Sequence, residues 1–264
     1  MGLFHPNYNT PGPGVRKDEP RKKGPARFFE ILGRDMGDLF RANLLCTLGF
    51  LPALILIFLG ILGRTVLLAA AGGILGGILL GPCYAGLHDT ILRAMRDEPG
   101  YWWHVYKKAF RRNWRQSLIP GAVLGFLLAS QLFMGYFLLA GGQTDVISAA
   151  LICMNVLLTA MIFPYLFSQL VLMDLPLGTL VKNSLLLALS FAPRSIAAAL
   201  IQIIYWIVII AFLPYTALWV VLFGFALVEL IVLMIIYPAM DKCFGLEERF
   251  RQQQAQRDAE NRED

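Results

Sequence analysis

The sequence predicts an all-α, polytopic membrane protein. Six transmembrane helices carry a weak helical-hairpin repeat, and amphipathic helices flank them on the cytoplasmic side. Three observations predict this. Hydrophobic residues make up 57% and charged residues 16% of the 264-residue chain, far from the balance of soluble domains. The apolar residues fall in several runs of about 20, the length that crosses a bilayer as a helix. The basic residues are segregated: six spans with the N-terminus inside put every Lys and Arg except Arg64 on one side. Basic residues are retained on the cytoplasmic side, so both termini are expected there.

Residues 1–41 read as a cytoplasmic basic arm. Its opening, FHPNYNTPGPGV, has prolines and glycines where no regular helix forms. It lacks the early apolar stretch of a signal peptide. The charge run RKDEPRKKGPAR follows, and then FFEILGRDMGDLFR, whose spacing suits an interfacial helix entering the bilayer. The membrane domain, 42–240, begins with spans at about Ala42–Leu62 and Thr65–Leu87. Spans three to six follow at about Leu118–Ala140, Val146–Met173, Ile196–Leu213 and Tyr215–Met240. A half-polar segment within residues 174–195 separates spans four and five. Its part 177–190 is compatible with a position in or on the membrane. The tail, 241–264, is rich in Gln, Glu and Arg and reads as a solvated or frayed helix.

Between spans two and three lies a polar stretch, 88–117, with seven basic and six aromatic residues. On a helix, Trp103, Tyr106, Phe110, Trp114 and Ser117 form one stripe, and Lys108, Arg111 and Arg115 another. Such a helix lies in the headgroup layer, rings at the interface and bases toward anionic lipid. It serves either as an anchor that fixes topology or as a docking surface, centred on Trp103, Lys108, Arg111 and Arg115, for a partner or lipid. The net charge of +5 does not indicate nucleic acid, because the bases border membrane spans and the rings would face lipid.

Within the apolar runs, Glu229 is the most informative residue. It lies nine residues before Pro238, near mid-bilayer in a straight helix. An ionisable group there costs a few kcal/mol unless it is protonated or paired. Asn155 lies the same distance before Pro164, and Gln202 falls inside span five. Together these three suggest a polar cluster that binds substrate or a proton; the alternative is an interhelical hydrogen-bond clamp. Gly72, Gly73, Gly76 and Gly77 make overlapping small-xxx-small patterns, which permit close helix approach within the chain or in a homo-oligomer. His88-Asp89 reads as a polar pair at the end of a helix. The four cysteines read as buried, reduced thiols, and no metal-ligand or cofactor-binding spacing is present. Prolines near the inner ends of spans two, four and six, at Pro82, Pro164 and Pro238, carry the hairpin-repeat reading.

Two stretches, FFEILGRDMGDLFRANLLCTLGFLP and GPCYAGLHDTILRAMRDEPGYWWHVYKKAFRRNWRQS, resemble the YesL-like family of bacterial integral membrane proteins. The features concerned are Asn43 and Pro52, Gly81, Pro82 and Tyr84, then Arg96, Asp97, Glu98, Gly100, Phe110, Asn113 and Trp114. The opening FHPNYNTPGPGV is similar to members from anaerobic Gram-positive bacteria. The resemblance covers residues 1–117; the apolar stretch from Pro52 to Gly81 is longer here than in many members. The family is defined by a domain of unknown function, and its members are often encoded beside sugar-uptake transporters. The resemblance therefore implies a non-enzymatic accessory or scaffold role in carbohydrate uptake, beside a transporter complex. A small-molecule or proton-linked transporter built on Glu229, Asn155 and Gln202 is the alternative.

Overall fold

A computed structural model of the chain describes residues 21–98, 100–140, 145–252 and 256. The Pro/Gly-rich opening, the first part of the charge run, Pro99, the expected turn at 141–144 and the end of the tail lie outside them. The described residues contain helices and no strand. Eight helices follow in order: α1 (Pro25–Leu62), α2 (Val66–Arg96), α3 (Trp102–Ala140), α4 (Val146–Leu172), α5 (Leu177–Ser190), α6 (Ala192–Ala211), α7 (Ala217–Trp219) and α8 (Phe225–Phe244). A π-helical turn, Val220–Gly224, joins α7 to α8 into one continuous span. Six helical stretches are long and apolar enough to cross a membrane. The chain is thus an all-α protein of multi-pass membrane type. Exposed apolar side chains on the outer faces, among them Leu54, Phe58, Leu75, Ile204 and Ile207, suit contact with lipid.

The expected arm and first span meet inside one helix. α1 begins at Pro25 and runs through to Leu62, with one non-helical residue at Asp35. The expected loop 88–117 is likewise mostly helix, because α2 continues to Arg96 and α3 starts at Trp102. The amphipathic segment after α2 is therefore continuous with span three. After α4 the half-polar segment instead forms a separate helix, α5, so these two parts of the expected repeat differ. At 14 residues and 1.5 Å rise, α5 is about 21 Å long, short of the ~30 Å hydrocarbon core. It lays Leu180, Ser184, Leu187 and Ala188 inward, and Gln169 of α4 donates to Ser184 Oγ at 2.9 Å.

α2 is the central element, packed on α1 on one side and α3 on the other, with α4 and α8 also against it. Glycine makes this possible. A Cβ on Gly72 or Gly76 would collide with Leu56 or Ala53 of α1, and one on Gly73, Gly77 or Gly81 with the backbone of α3 at Gly125, Gly121 or Ser117. The glycine patterns are thus consumed inside the chain.

At the basic end of the bundle, α2 stops at Asp97, which has a left-handed backbone (φ 59°). Three arginines converge on its carboxylate: Arg21 and Arg27, each at 2.8 Å, and Arg34. Arg21 also reaches Glu247, 3.0 Å away, which accepts from Tyr237. This clasp ties the start of the described chain to the ends of α2 and α8. Burial disfavours ionisation of Asp97, but hydrogen bonds from Arg27 and Arg34 outweigh it and hold the carboxyl below the usual carboxylate range. A depressed folded value means stability that is present above the unfolded value, about 3.9, and lost as pH falls through the folded one. The thermal midpoint of Asp97→Asn is therefore expected to lie below wild type at neutral pH. The gap should close in acid; a gap that persists there would mean the carboxylate charge is not what the arginines grip.

Candidate functional site

Glu229 sits in α8 and is almost completely buried, at 1% exposure. Its Oε1 accepts hydrogen bonds from Tyr84 of α2 and, at 2.7 Å, from Gln202 of α6. Its Oε2 has no hydrogen-bond partner. Facing that oxygen at 3.7 Å is Nε2 of His88, a residue with 0% exposure whose Nε2 is also unpartnered. On the far side of the ring, His88 Nδ1 is 3.2 Å from Ser168 Oγ of α4. Tyr84 and His88 are four residues apart on α2, hence on one face. Their rings pack edge to face at 4.6 Å, and Phe167 packs on Tyr84 at 4.8 Å. Four helices therefore supply one buried, polar cluster.

The expected trio is only partly assembled. Gln202 joins Glu229, but Asn155 does not. Asn155 accepts from Gln131 at 3.0 Å and donates to Ser130 at 3.1 Å, both on α3, with Thr159 beside it. It precedes Ser168 by thirteen residues on α4, roughly 20 Å of helix. Counting from the prolines gave Asn155 and Glu229 one depth, but the helices do not meet at equal proline offsets. The Asn155 group has mutually satisfied polar contacts, which is how buried polar side chains clamp neighbouring membrane helices.

Along its own span, Ala217–Phe244, Glu229 is twelve residues from one end and fifteen from the other, roughly 18 Å and 23 Å. Along α2, Tyr84 is twelve residues from Arg96 and eighteen from Val66.

Sequence reasoning missed Tyr84, His88 and Ser168. His88-Asp89 was expected at a helix end, but α2 runs two more turns and both residues are buried, His88 in the core and Asp89 paired with Arg93 at 2.7 Å. The available signal was the i,i+4 spacing of Tyr84 and His88 in an otherwise apolar helix. The cysteines also differ from expectation. All are free, but only Cys46 is buried, while Cys153 and Cys243 are exposed. Among the described residues no group of three or more His, Cys, Asp and Glu is placed to hold a metal.

The second candidate is the outer face of α3. Tyr106, Ala109, Asn113 and Ser117 are buried, with Tyr106 lying on Gly86 and Ser117 on Gly81 of α2. The expected aromatic stripe is therefore divided: Tyr106 and Ser117 face protein, not lipid, and only its edge, Trp103 and Trp114, is open. The glycines of α2 explain this, since they leave room for a ring where other residues would hold α3 away. Lys108, Arg111 and Arg115 are exposed on the opposite face, close in angle around the helix. Among the described residues none of these three has an acidic partner within ion-pair distance, whereas Arg93 and Arg96 are paired with Glu98.

Comparison of the chain with protein-family models, with curated proteins and with solved structures finds no match.

Proposed function

We propose that this chain is a non-enzymatic accessory or scaffold component of a bacterial cytoplasmic membrane, with both termini cytoplasmic, that docks an acidic surface of a membrane partner onto the outer face of α3. One observation carries the reading. Trp103, Lys108, Arg111 and Arg115 are exposed on a helix whose other face is locked against α2, so the cations form a pre-organised patch to which no acid among the described residues is bound. Rigid presentation lowers the entropy cost of binding, and exposed aromatics beside arginines are typical anchor residues of interfaces. The resemblance to YesL-like proteins suggests the partner class, a sugar-uptake transporter complex.

The test is quantitative capture from native membranes with wild type and with the combined variant Lys108→Glu, Arg111→Glu, Arg115→Glu. Like-charge juxtaposition across an interface costs several kcal/mol. Recovery of the co-purifying transporter subunit should therefore fall about tenfold or more, while the variant's own yield and thermal midpoint hold. Equal recovery with both proteins would remove the docking role and leave the bases as determinants of topology.

A second reading, a small transporter, is favoured by one observation: the ionisable cluster around Glu229 is shared by four helices. It would use Glu229 and Gln202, without Asn155. Proteoliposome flux that disappears in Glu229→Gln while the protein stays folded would select it over the accessory role.

A further inference from the structure

We propose that Glu229 and His88 form a one-proton binding site, loaded through His88 from the basic end of the bundle. The inference rests on two unpartnered atoms aimed at each other. Glu229 Oε2 and His88 Nε2 are 3.7 Å apart, both buried and both without another hydrogen-bond partner. That gap is too narrow for a bridging water, which would hold its two partners about 4.5–5 Å apart at ordinary hydrogen-bond lengths and angles. A proton passes between them when the two atoms close by about 0.8 Å to hydrogen-bond distance.

The two states of the site follow from the other ring nitrogen. When Ser168 donates its hydroxyl to Nδ1, neutral His88 carries its hydrogen on Nε2. Glu229 is then a carboxylate, held by Tyr84 and Gln202 and faced by the Nε2–H group. When a proton arrives at Nδ1 and the Nε2 proton passes to Oε2, Ser168 turns to accept from Nδ1–H. Glu229 is then a neutral acid that donates to Nε2. One proton has been gained, no bond between heavy atoms has changed, and the net charge of the pair goes from −1 to zero. Ser168 lies four residues from the end of α4, which places the entry side toward the basic end.

The surroundings make this charge change matter. From α2 the titratable neighbours are Tyr84, Cys83 and, one turn on, Asp89, already paired with Arg93. α1 contributes Cys46 and α3 contributes Tyr106, which lies on Gly86. α4 and α6 contribute Ser168 and Gln202, which do not ionise. Among the described residues, therefore, no cation balances the carboxylate. A desolvated, uncompensated charge is costly, so proton occupancy biases how tightly α6 and α8 close on α2 and α4.

Infrared difference spectroscopy of the full-length protein in lipid nanodiscs, titrated with pH, tests this. The expected result is a carbonyl band from a buried protonated carboxyl that is lost in a single step as pH rises. The band should be missing in Glu229→Gln, and its midpoint should move in His88→Gln. Should Glu229→Gln fail to fold, Tyr84→Phe keeps the carboxyl while removing one of its donors, and its midpoint should move as well. A band assigned to Glu229 that stays constant wherever the protein is folded, or is never present, overturns the proposal. So does a midpoint that neither His88→Gln nor Tyr84→Phe shifts.

Discussion

Gly77→Leu is expected to prevent assembly of the helical bundle. Gly77 of α2 and Gly121 of α3 lie so close that a Cβ on either would run into the other's carbonyl oxygen. The obstacle is backbone, which cannot move aside as a side-chain tip can. The same contact recurs along the pair, Gly73 with Gly125 and Gly81 with Ser117, so relief at one step requires the whole seam to open. Overpacking ordinarily costs 1–3 kcal/mol; against backbone in a continuous seam it should reach about 3 kcal/mol or more. A loss of that size lowers a thermal midpoint by on the order of 10 °C, or removes the monodisperse species in mild detergent. Gly135→Leu, on the same α3, is the control. Nothing lies within 4 Å of a Cβ there, and its midpoint should stay close to wild type. If Gly77→Leu behaved like Gly135→Leu, close α2–α3 packing would not be what holds these helices.

This seam shows what a sequence can and cannot disclose. The glycines of α2 stand out because four of them interrupt an apolar run. The α3 partners of Gly73, Gly77 and Gly81, namely Ser117, Gly121, Gly125 and Ala129, repeat every fourth residue but are diluted among larger residues, and only the pairing reveals them. The six spans are legible because hydrocarbon thickness sets a length that the apolar runs meet. Glu229 and Gln202 are legible because a lone polar group in such a run has no cheap solvent. His88 is not, since it stands where the apolar run gives way to charge. Whether such a residue is buried depends on what covers it, and here the cover is α4 and α8. Asn155 was assigned to the wrong neighbours because equal sequence offsets fix position along a helix, not which helix lies opposite.

Asn43→Leu is expected to be the other severe change, and its mechanism differs. Asn43 of α1 is fully buried, and its side-chain amide is inserted into the backbone ladder of span six. Nδ2 donates to the carbonyls of Val220 and Val221 at 3.0 and 2.8 Å. Oδ1 accepts from the N–H groups of Phe225 and Ala226 at 2.8 and 3.0 Å. In an α-helix the Phe225 N–H would bond the Val221 carbonyl directly. Here the amide stands between them and sustains the π turn Val220–Gly224. Leucine has nearly the same volume but none of the four bonds. Each buried backbone group left unpaired costs about 1–3 kcal/mol, and hydrocarbon offers no water to replace the amide. Re-closing the π turn into α geometry would recover some bonds, but it removes about one residue per turn and rotates one end of the span by roughly 100°. Either Trp219 then leaves Tyr205, to which it donates at 3.0 Å, or Glu229 leaves Tyr84 and Gln202. The net loss should be about 3 kcal/mol or more. Amide hydrogen exchange should accelerate over residues 220–226, with a smaller increase elsewhere. Asn43→Asp, buried as the neutral acid because a carboxylate oxygen would face two carbonyls, keeps the acceptor and one donor and should fall between leucine and wild type if the ladder contacts set the cost. A leucine variant with wild-type exchange over that turn would mean the π geometry is held by packing alone. Asn43 would then be only a tolerated polar residue, and the orientation of Glu229 would have to be explained by the apolar contacts of α8.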